Sequence, residues 1–419
     1  MWDFTSESLA FLTSQSGSSL FTLFWFVIIF EIPRYTLGFV ATLALTIRPR
    51  SKQPYHAARL SVVIAGHNEE DSIERCVMSL REQSRPPDEI IVVSDGSTDR
   101  MPEKLRSLQS RGLIKEAHCT QMRGGKSAGV NLAVGRTTGD IIVNVDCDCT
   151  FDRNALNKII EPFADPKVGA VAGNIIVRNP KASLVTACQA IEYMISISQG
   201  KQAADLTDQM TCVSGAFGAF RRETLDRVGG LDSGGGEDLD VTLKLRTAGW
   251  KAVFAAGAIC YTDVPETLLA LTRQRFRWER DAVRLRYRKH RDLLNPFSKQ
   301  FDVIELLHEL DFIVFNILAA VAFPIYLVWL FVIYGDFAPL ILMAAQIGMW
   351  SLDLFTFLIA AWMTPKANAM SLMPYLLAYS PFYGFLMRMV RVAAYVQEWV
   401  FRASYRDPYV PKKVHLVRK

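Results

Sequence analysis

Long apolar segments constrain the fold of this chain more than any other feature. They occupy residues 20–47, 312–334 and about 338–362. Each is longer than the roughly 20 residues that an α-helix needs to cross the hydrocarbon core of a bilayer. Glu31 and Pro33 interrupt the first segment and predict a kinked helix there. The sequence therefore predicts membrane-spanning helices on either side of a more polar central region.

The charges beside these segments predict their orientation. Residues 48–52 read RPRSK, while the GDF turn at 335–337 contains no basic residue. Because basic loops remain on the cytoplasmic side, we expect an uncleaved anchor with its N-terminus outside. A removable signal peptide is disfavoured, because the first 19 residues contain no Lys or Arg. We therefore expect a multi-pass protein of the inner or plasma membrane, with a cytoplasmic central region.

The segment at 371–397 is a different case. It contains Arg388 and Arg391 and leads into a basic tail that ends in KKVHLVRK. If it crossed the membrane, the tail would lie outside, against the charge rule. We interpret it as an amphipathic or re-entrant helix at the cytoplasmic face, with a full crossing as the alternative.

The composition excludes several classes of protein. Half of the residues are hydrophobic, so the chain has ample apolar surface to bury and is not intrinsically disordered. Seven cysteines in 419 residues do not make a small disulfide scaffold. A net charge of +5, from 47 basic and 42 acidic residues, gives no case for nucleic acid as a partner.

The central region, from about 58 to 260, has the pattern of an α/β domain. Its short apolar runs are LSVVIAGH, EIIVVSDGS, GDIIVNVDCD and GAVAGNIIV, and amphipathic stretches separate them. Such alternation predicts a mostly parallel sheet with helices on both faces.

Carboxylates follow the first two predicted strands. Glu69 lies in the sequence HNEE, and Asp95 lies in SDGSTD. Ligands bind at the carboxyl ends of parallel strands, where a carboxylate can accept hydrogen bonds from a nucleobase or a ribose. Turn formation and helix capping are the simpler explanation of either motif taken alone.

A glycine-rich loop, RGGKS at 123–127, contains a lysine that could face a diphosphate. Thr120 occupies the position where the Walker pattern requires its first glycine, so the main support for NTP hydrolysis is lost. Lys126 could still act as a point charge toward phosphate oxygens. A solvated surface lysine is the alternative.

Two aspartates alternate at the end of the third predicted strand, IIVNVDCDC. Side chains at i and i+2 of an extended segment leave the same face, so Asp146 and Asp148 could converge on one hard divalent cation that binds diphosphate. A capped strand end is the alternative. Cys147 and Cys149 alternate with them, but no CxxC or paired His supports a soft-metal site.

The sequence GGGED at 234–238 opens a helical pattern. The helix dipole favours the charged forms of Glu237 and Asp238. Beside a flexible glycine run, Asp238 is the candidate general base and Glu237 a second candidate catalytic carboxylate. Helix capping is the alternative.

A further helical face combines Gln274, Arg277 and Trp278, at positions i, i+3 and i+4. Their donors and flat indole suit a sugar ring beside a diphosphate. The surrounding arginines would also suit a helix lying on anionic lipid headgroups.

The order of these motifs resembles family 2 glycosyltransferases. HNEE, SDGSTD, GGKSAGVN, DCD, SGAFGAFR, GGGED and QRFRW occur in the family's order, over about 58–280. The last motif resembles the Q-x-x-R-W of the processive membrane branch, which includes cellulose, chitin, chitin-oligosaccharide, hyaluronan and poly-N-acetylglucosamine synthases. The resemblance implies a cytoplasmic GT-A domain joined to a membrane channel.

The resemblance also implies roles for individual residues. Asp148, with Asp146, would bind Mg²⁺ or Mn²⁺, and Asp238 would be the base. The implied donor-binding residues are Glu69 and Asp95 for the uridine, and Lys126 and Asp146 for the diphosphate. Ser214 and Gly215 would lie near the acceptor end. The diphosphate and the acceptor sugar would be held by Gln274, Arg277 and Trp278. The stretch CVSGAFG matches the family's acceptor site only loosely.

The implied function is an inverting polysaccharide synthase. It would transfer glucose or N-acetylglucosamine from a UDP-sugar to a growing β-linked glycan and export the product. Membrane lipid and accessory export subunits are the other expected partners. One alternative is a non-processive UDP- or GDP-sugar transferase acting on a lipid phosphate. The other, a non-enzymatic membrane protein, is disfavoured by the intact candidate carboxylates Asp146, Asp148 and Asp238.

The sequence therefore predicts five regions. They are a membrane anchor (1–50), a GT-A domain (51–262), interfacial helices with the QxxRW motif (263–311), transmembrane helices (312–363), and an interfacial or re-entrant helix with a basic cytoplasmic tail (364–419).

Overall fold

A computed structural model describes most of the chain. The described residues are 10, 13–47, 55, 59–208, 210, 212–298, 301, 303–407 and 409–417. RPRSK at 48–52, on which the predicted orientation depends, lies outside them.

The central region forms one eight-stranded sheet with the order β3-β2-β1-β4-β7-β6-β8-β5. The strands are β1 Leu60–Gly66, β2 Glu89–Asp95, β3 Glu116–Thr120, β4 Ile141–Val145, β5 Thr150–Phe151, β6 Val168–Val177, β7 Phe217–Arg221 and β8 Lys251–Thr262. β1, β2, β3 and β4 pair in parallel, as do β6 and β8. β7 is antiparallel to β4 and β6, and β5 is antiparallel to β8. The sheet is therefore mixed, and the prediction of a mostly parallel sheet is confirmed only in part.

The α-helices and strands alternate through this region as the sequence predicts. The α-helices are α1 Gly17–Phe26, α2 Ile32–Ile47, α3 Ile73–Arg81, α4 Met101–Ser110, α5 Lys126–Arg136, α6 Ala155–Ile160, α7 Leu184–Glu192, α8 Gly200–Leu206, α9 Arg222–Val228, α10 Glu237–Thr247, α11 Leu268–Arg284, α12 Val303–Phe312, α13 Ala319–Tyr334, α14 Ala338–Met363, α15 Leu376–Ala378, α16 Phe385–Phe401 and α17 Lys412–Val417. Shorter 3₁₀ and π-helical segments join several of them.

Hydrophobic clusters cover both faces of the sheet. Val62 and Ile64 of β1 pack on one face with residues of α3, α4 and α6. Val63, between them in sequence, packs on the other face with α5 and α10. Because successive strand residues point to opposite faces, strands buried on both sides need a continuous apolar run, and this explains the composition of β1 and β2.

Two helical stretches, Gly17–Val40 and Leu306–Met363, are long and apolar enough to cross a membrane by length and composition. The first contains a kink, but at Phe24, whose φ of −112° and ψ of 19° leave the helical region. Pro33 closely follows a π-helical turn, Val27–Glu31, within the same continuous helix, and such a turn is a local irregularity that can accommodate a missing N–H. In the second stretch, α13 and α14 meet at Gly335, whose φ is +50°, and Leu330 and Ile341 share a cluster with Leu23 of α1.

The helix α16 packs along α11. Arg391 Nε donates to Glu279 Oε1 at 3.0 Å, and the Tyr395 hydroxyl donates to Glu279 Oε2 at 2.7 Å. Within the described residues, α16 is not among the helices that meet the length and hydropathy requirements for a membrane span. These contacts agree with an interfacial position for 371–397, which stays a prediction.

Candidate active site

The glycine-rich loop is fixed by Asp95 at the end of β2. Asp95 Oδ1 accepts from Gly124 N and Oδ2 accepts from Gly125 N, each at 2.7 Å. Gly125 has a φ of +91°, a conformation that favours glycine. Asp95 therefore holds the loop. Its remaining lone pairs can still accept hydrogen bonds from a ligand.

Lys126 opens α5 directly after this loop and meets two carboxylates. Its Nζ lies 2.6 Å from Asp146 Oδ1 and 3.4 Å from Glu237 Oε1. Burial alone would lower the pKa of the ammonium, but Asp146 and Glu237 outweigh burial and raise this pKa well above its usual value. Lys126 is thus a fixed cation at the carboxyl end of β4, where the sequence predicts a diphosphate.

The predicted metal ligands lie beside it. Asp148 Oδ2 accepts from the Thr262 hydroxyl at 3.0 Å, and Asp146 is the partner of Lys126. Burial, together with the charges of Asp148 and Asp146, raises the pKa of Glu69, against a hydrogen bond from Ser72 that lowers it. Three carboxylates therefore share one electrostatic environment, which a divalent cation would stabilise.

The donor set fits a hard cation of the Mg²⁺ or Mn²⁺ type. Among the described residues no group of three or more His, Cys, Asp or Glu side chains forms a complete metal cage. Mg²⁺ is commonly held by one or two carboxylates together with phosphate oxygens and water. Asp146 and Asp148 match that requirement once a diphosphate is bound.

The two acidic residues of GGGED have different surroundings. Glu237 faces Lys126. Asp238 Oδ2 accepts from Gly215 N at 3.3 Å, and its Oδ1 accepts from Leu239 N at 2.8 Å. Asp238 has no ion pair among the described side chains, so its carboxylate is the better placed of the two to take a proton.

Arg284 of α11 holds the glycine run at 234–236 in place. The sequence analysis did not predict this contact. Arg284 Nη2 donates to Gly235 O at 2.7 Å and pairs with Asp281 Oδ1 at 3.1 Å. A Cβ added at Gly235 would lie 2.0 Å from Asp281 Oδ2, so only glycine fits here.

Farther along α10, Asp240 accepts from Lys289 at 2.7 Å and from His290 at 2.8 Å. Although burial would raise the pKa of Asp240, these two hydrogen bonds lower it to about 2.

The predicted acceptor residues Ser214 and Gly215 lie between these groups. A Cβ added at Gly215 would lie 2.9 Å from Lys126 Nζ. The Ser214 hydroxyl accepts from Lys201 Nζ at 2.5 Å. Donor-side and acceptor-side candidates therefore meet at this one loop.

The QxxRW face lies on α11. No hydrogen bond or ion pair within the described part of the chain joins Gln274, Arg277 or Trp278 to the Asp238 carboxylate. The Gln274 Oε1 atom is buried without a hydrogen-bond partner. The Trp278 side chain is 42% exposed and carries the Arg275 guanidinium 4.5 Å from its ring centroid.

The C-terminal segment lies over the site, which the sequence analysis also missed. The Arg277 guanidinium lies 3.9 Å from the Tyr409 ring centroid, and that of Arg123 lies 5.6 Å from it. Pro411 Cδ lies 3.4 Å from a Cβ added at Gly125. Tyr409 therefore lies between the glycine-rich loop and the QxxRW helix. The one sequence signal was the aromatic and proline content of DPYVP amid basic residues.

Comparisons with known proteins match the central region to a glycosyltransferase family. Residues 61–229 match the family described as Glycosyl transferase family 2. The chain is 30% identical over 257 residues to the poly-β-1,6-N-acetyl-D-glucosamine synthase of Staphylococcus aureus strain MSSA476, covering 60% of each chain. It is 30% identical over 221 residues to the enzyme of the same name from Staphylococcus epidermidis, covering 52% of this chain and 53% of the relative. The similarity thus spans about 60% or less of the length of these relatives.

A solved structure resembles nearly the whole chain. It is the mannosyltransferase PcManGT from Pyrobaculum calidifontis in complex with GDP-Man and Mn²⁺, with a TM-score of 0.60 and 21% identity, covering 91% of this chain and 99% of that one. With the family match, this similarity confirms a GT-A-like glycosyltransferase fold and the resemblance to family 2.

Proposed function

We propose that this chain, which contains a family 2 glycosyltransferase domain, is a membrane-embedded inverting polysaccharide synthase. It transfers glucose or N-acetylglucosamine from a UDP-sugar to a growing β-linked glycan and exports the product. The names of the staphylococcal relatives favour N-acetylglucosamine. The observation that carries the proposal is the meeting of Lys126, Glu237 and Asp238 around Gly215.

The chain's own residues supply most of the proposed chemistry. Asp238 takes the proton from the acceptor hydroxyl, which then attacks the anomeric carbon from the face opposite the leaving diphosphate. Lys126 offsets the charge that develops on that diphosphate. Glu237 holds Lys126 in place. One displacement inverts the anomeric centre, and the transition state resembles an oxocarbenium ion, as in glycoside hydrolysis.

Asp146 and Asp148 would hold a divalent cation against the diphosphate. When bound, the cation would act as a Lewis acid on the leaving group. The Mn²⁺ named with the solved mannosyltransferase supports a metal of this type.

The proposed acceptor site includes the QxxRW face and the segment above it. A neutral sugar stacks its C–H face on an aromatic ring while its hydroxyls bond to nearby polar groups. The exposed indole of Trp278 and the unpartnered Oε1 of Gln274 fit these two needs. Tyr409, stacked on Arg277, would limit access of water to the donor.

The proposed membrane part consists of the two apolar stretches Gly17–Val40 and Leu306–Met363, the second crossing twice through the turn at Gly335. A polar contact ties the two stretches together, since the Tyr35 hydroxyl donates to Asp353 at 2.6 Å. Arg388 of α16 pairs with Glu31 of the first stretch and so joins the predicted interfacial helix to it. Intramembrane polar groups of this kind mark functional paths or packing contacts within a helix bundle.

The test is donor use by the purified protein in detergent. UDP-glucose, UDP-N-acetylglucosamine and GDP-mannose are each supplied with Mn²⁺ or Mg²⁺, and nucleotide release is followed. UDP release from one UDP-sugar, absent in EDTA, is the expected result. No UDP release from any UDP-sugar would overturn the proposal.

A non-processive transferase acting on a lipid phosphate is the second candidate. One observation supports the GDP-sugar donor of this candidate: the similarity to the solved mannosyltransferase covers 91% of this chain, and that structure contains GDP-Man. A polyprenyl phosphate added to the same assay separates the two, because only this candidate requires it for nucleotide release.

A further inference from the structure

Lys201 is a cation beside the candidate base to which neither the sequence motifs nor the mechanism above gives a role. It is the second residue of α8, and its Nζ donates to the Ser214 hydroxyl at 2.5 Å. The next residue, Gly215, donates its N–H to Asp238 Oδ2 at 3.3 Å. Lys201 therefore contacts Ser214, the neighbour of Gly215, whose N–H orients the base Asp238.

Lys201 differs from Lys126 in that no described carboxylate pairs with its charge. Lys126 pairs with Asp146 and Glu237. Lys201 is half-buried, and no carboxylate of the described chain forms an ion pair with it. Burial lowers the pKa of its ammonium, and the nearby Cys212 and Asp238 only partly oppose that. Removing a cation from water without pairing it to a carboxylate costs free energy. Such groups are frequent at ligand-binding sites.

The position of Lys201 separates it from the predicted uridine site. Asp95 ends β2, whereas Ser214 precedes β7, and the order β2-β1-β4-β7 places three strand spacings between them. At about 4.8 Å per spacing, that separation is roughly 14 Å. α8 also packs against α2, part of the first apolar stretch. Lys201, bound to Ser214, thus lies away from the predicted uridine site.

We propose that Lys201, together with the Ser214 hydroxyl, binds an oxygen of the terminal acceptor sugar next to the hydroxyl that Asp238 deprotonates. This inference rests on the proposed function. An ammonium has three donors, and within the described chain the Ser214 hydroxyl accepts from one of them. Because Asp238 partly offsets the positive charge, the site suits an uncharged polyhydroxyl ligand better than a phosphate.

Lys201→Met tests this assignment, because methionine is similar in length but has neither charge nor donors. The acceptor probe is a tetramer of N-acetylglucosamine at saturating UDP-N-acetylglucosamine, and UDP binding is measured by calorimetry. The apparent KM for the tetramer should rise about tenfold or more, which is the loss expected for a charged hydrogen bond. The Kd for UDP should stay within about twofold of wild type, because Lys201 Nζ contacts Ser214 and neither Asp95 nor Lys126, which are predicted to hold the nucleotide.

Two further variants sharpen the test. Lys201→Arg keeps charge and donors and should recover part of the lost acceptor affinity. Lys167→Met makes the same change at an exposed lysine and should leave the KM for the tetramer unchanged.

Three outcomes overturn the inference. An unchanged KM for the tetramer in Lys201→Met, or an equal loss of UDP and tetramer binding, removes Lys201 from the acceptor site while leaving the proposed function intact. Failure of the wild-type chain to release UDP from any UDP-sugar overturns the proposed function, and this inference with it.

Discussion

Replacing Asp238 by asparagine separates base catalysis from every other role of that side chain. Asparagine keeps the size of aspartate, and its carbonyl oxygen can still accept from Leu239 N, as Asp238 Oδ1 does at 2.8 Å. The substitution weakens or removes the 3.3 Å hydrogen bond from Gly215 N, which costs about 1 kcal/mol of stability. Loss of a general base lowers the rate by about 10²–10⁴-fold, or about 3–5 kcal/mol in the barrier.

The assay compares sugar transfer with UDP binding. Because Lys126 contacts Asp146 and Glu237 and not Asp238, the Asp238→Asn variant should bind UDP as the wild type does while transfer falls at least 100-fold. Asp226→Asn, at an exposed position on α9, is the matched control. Transfer within about tenfold of wild type would refute Asp238 as the base.

Four other perturbations test neighbouring assignments. Glu237→Gln should weaken UDP-sugar binding more than it lowers the maximal transfer rate, since Glu237 lies 3.4 Å from Lys126 Nζ. Gly215→Ala should also weaken donor binding, because its Cβ would lie 2.9 Å from the same nitrogen; calorimetry with UDP measures both. Trp278→Ala should shorten the product severely while UDP and metal binding change little, as gel filtration of the product would report. A cysteine introduced by Lys413→Cys should resist impermeant reagents in intact cells, because the basic tail is predicted to be cytoplasmic.

Controls make these results specific. Gly135→Ala adds a methyl group where nothing lies within 4 Å and should leave UDP affinity unchanged. A Glu237→Gln variant as inactive as Asp238→Asn, with normal UDP binding, would move the base role to Glu237. Full-length polymer from Trp278→Ala would remove that indole from elongation. Labelling at position 413 above that of the unmodified chain would mean that 371–397 crosses the membrane.

Features with a local sequence signal were predictable. The strands β1, β2, β4 and β6 are apolar on both faces and are bounded by turn residues, so their positions follow from the sequence. Asp146 and Glu237 were predicted because each ends a strand or opens a helix in a recognisable pattern. Their shared contact with Lys126 follows from the sheet edge on which they lie.

Features that depend on long-range packing were not predictable. β7 runs antiparallel to its neighbours, but nothing in the five residues FGAFR encodes a direction. The hydrogen bond from Arg284 to Gly235 joins positions 49 residues apart. Tyr409, near the C-terminal end of the chain, contacts Arg123 and Arg277. Such contacts leave no periodic signal, since each involves a single pair of side chains.

Product length is the most direct test of a processive polysaccharide synthase. The purified wild-type protein, supplied with Mn²⁺ and a large excess of the UDP-sugar it uses, should release many UDP molecules per acceptor and build a β-linked polymer that lengthens with time. Addition of a single sugar to each acceptor, with UDP release stopping at one equivalent, would contradict the synthase and favour the lipid phosphate transferase.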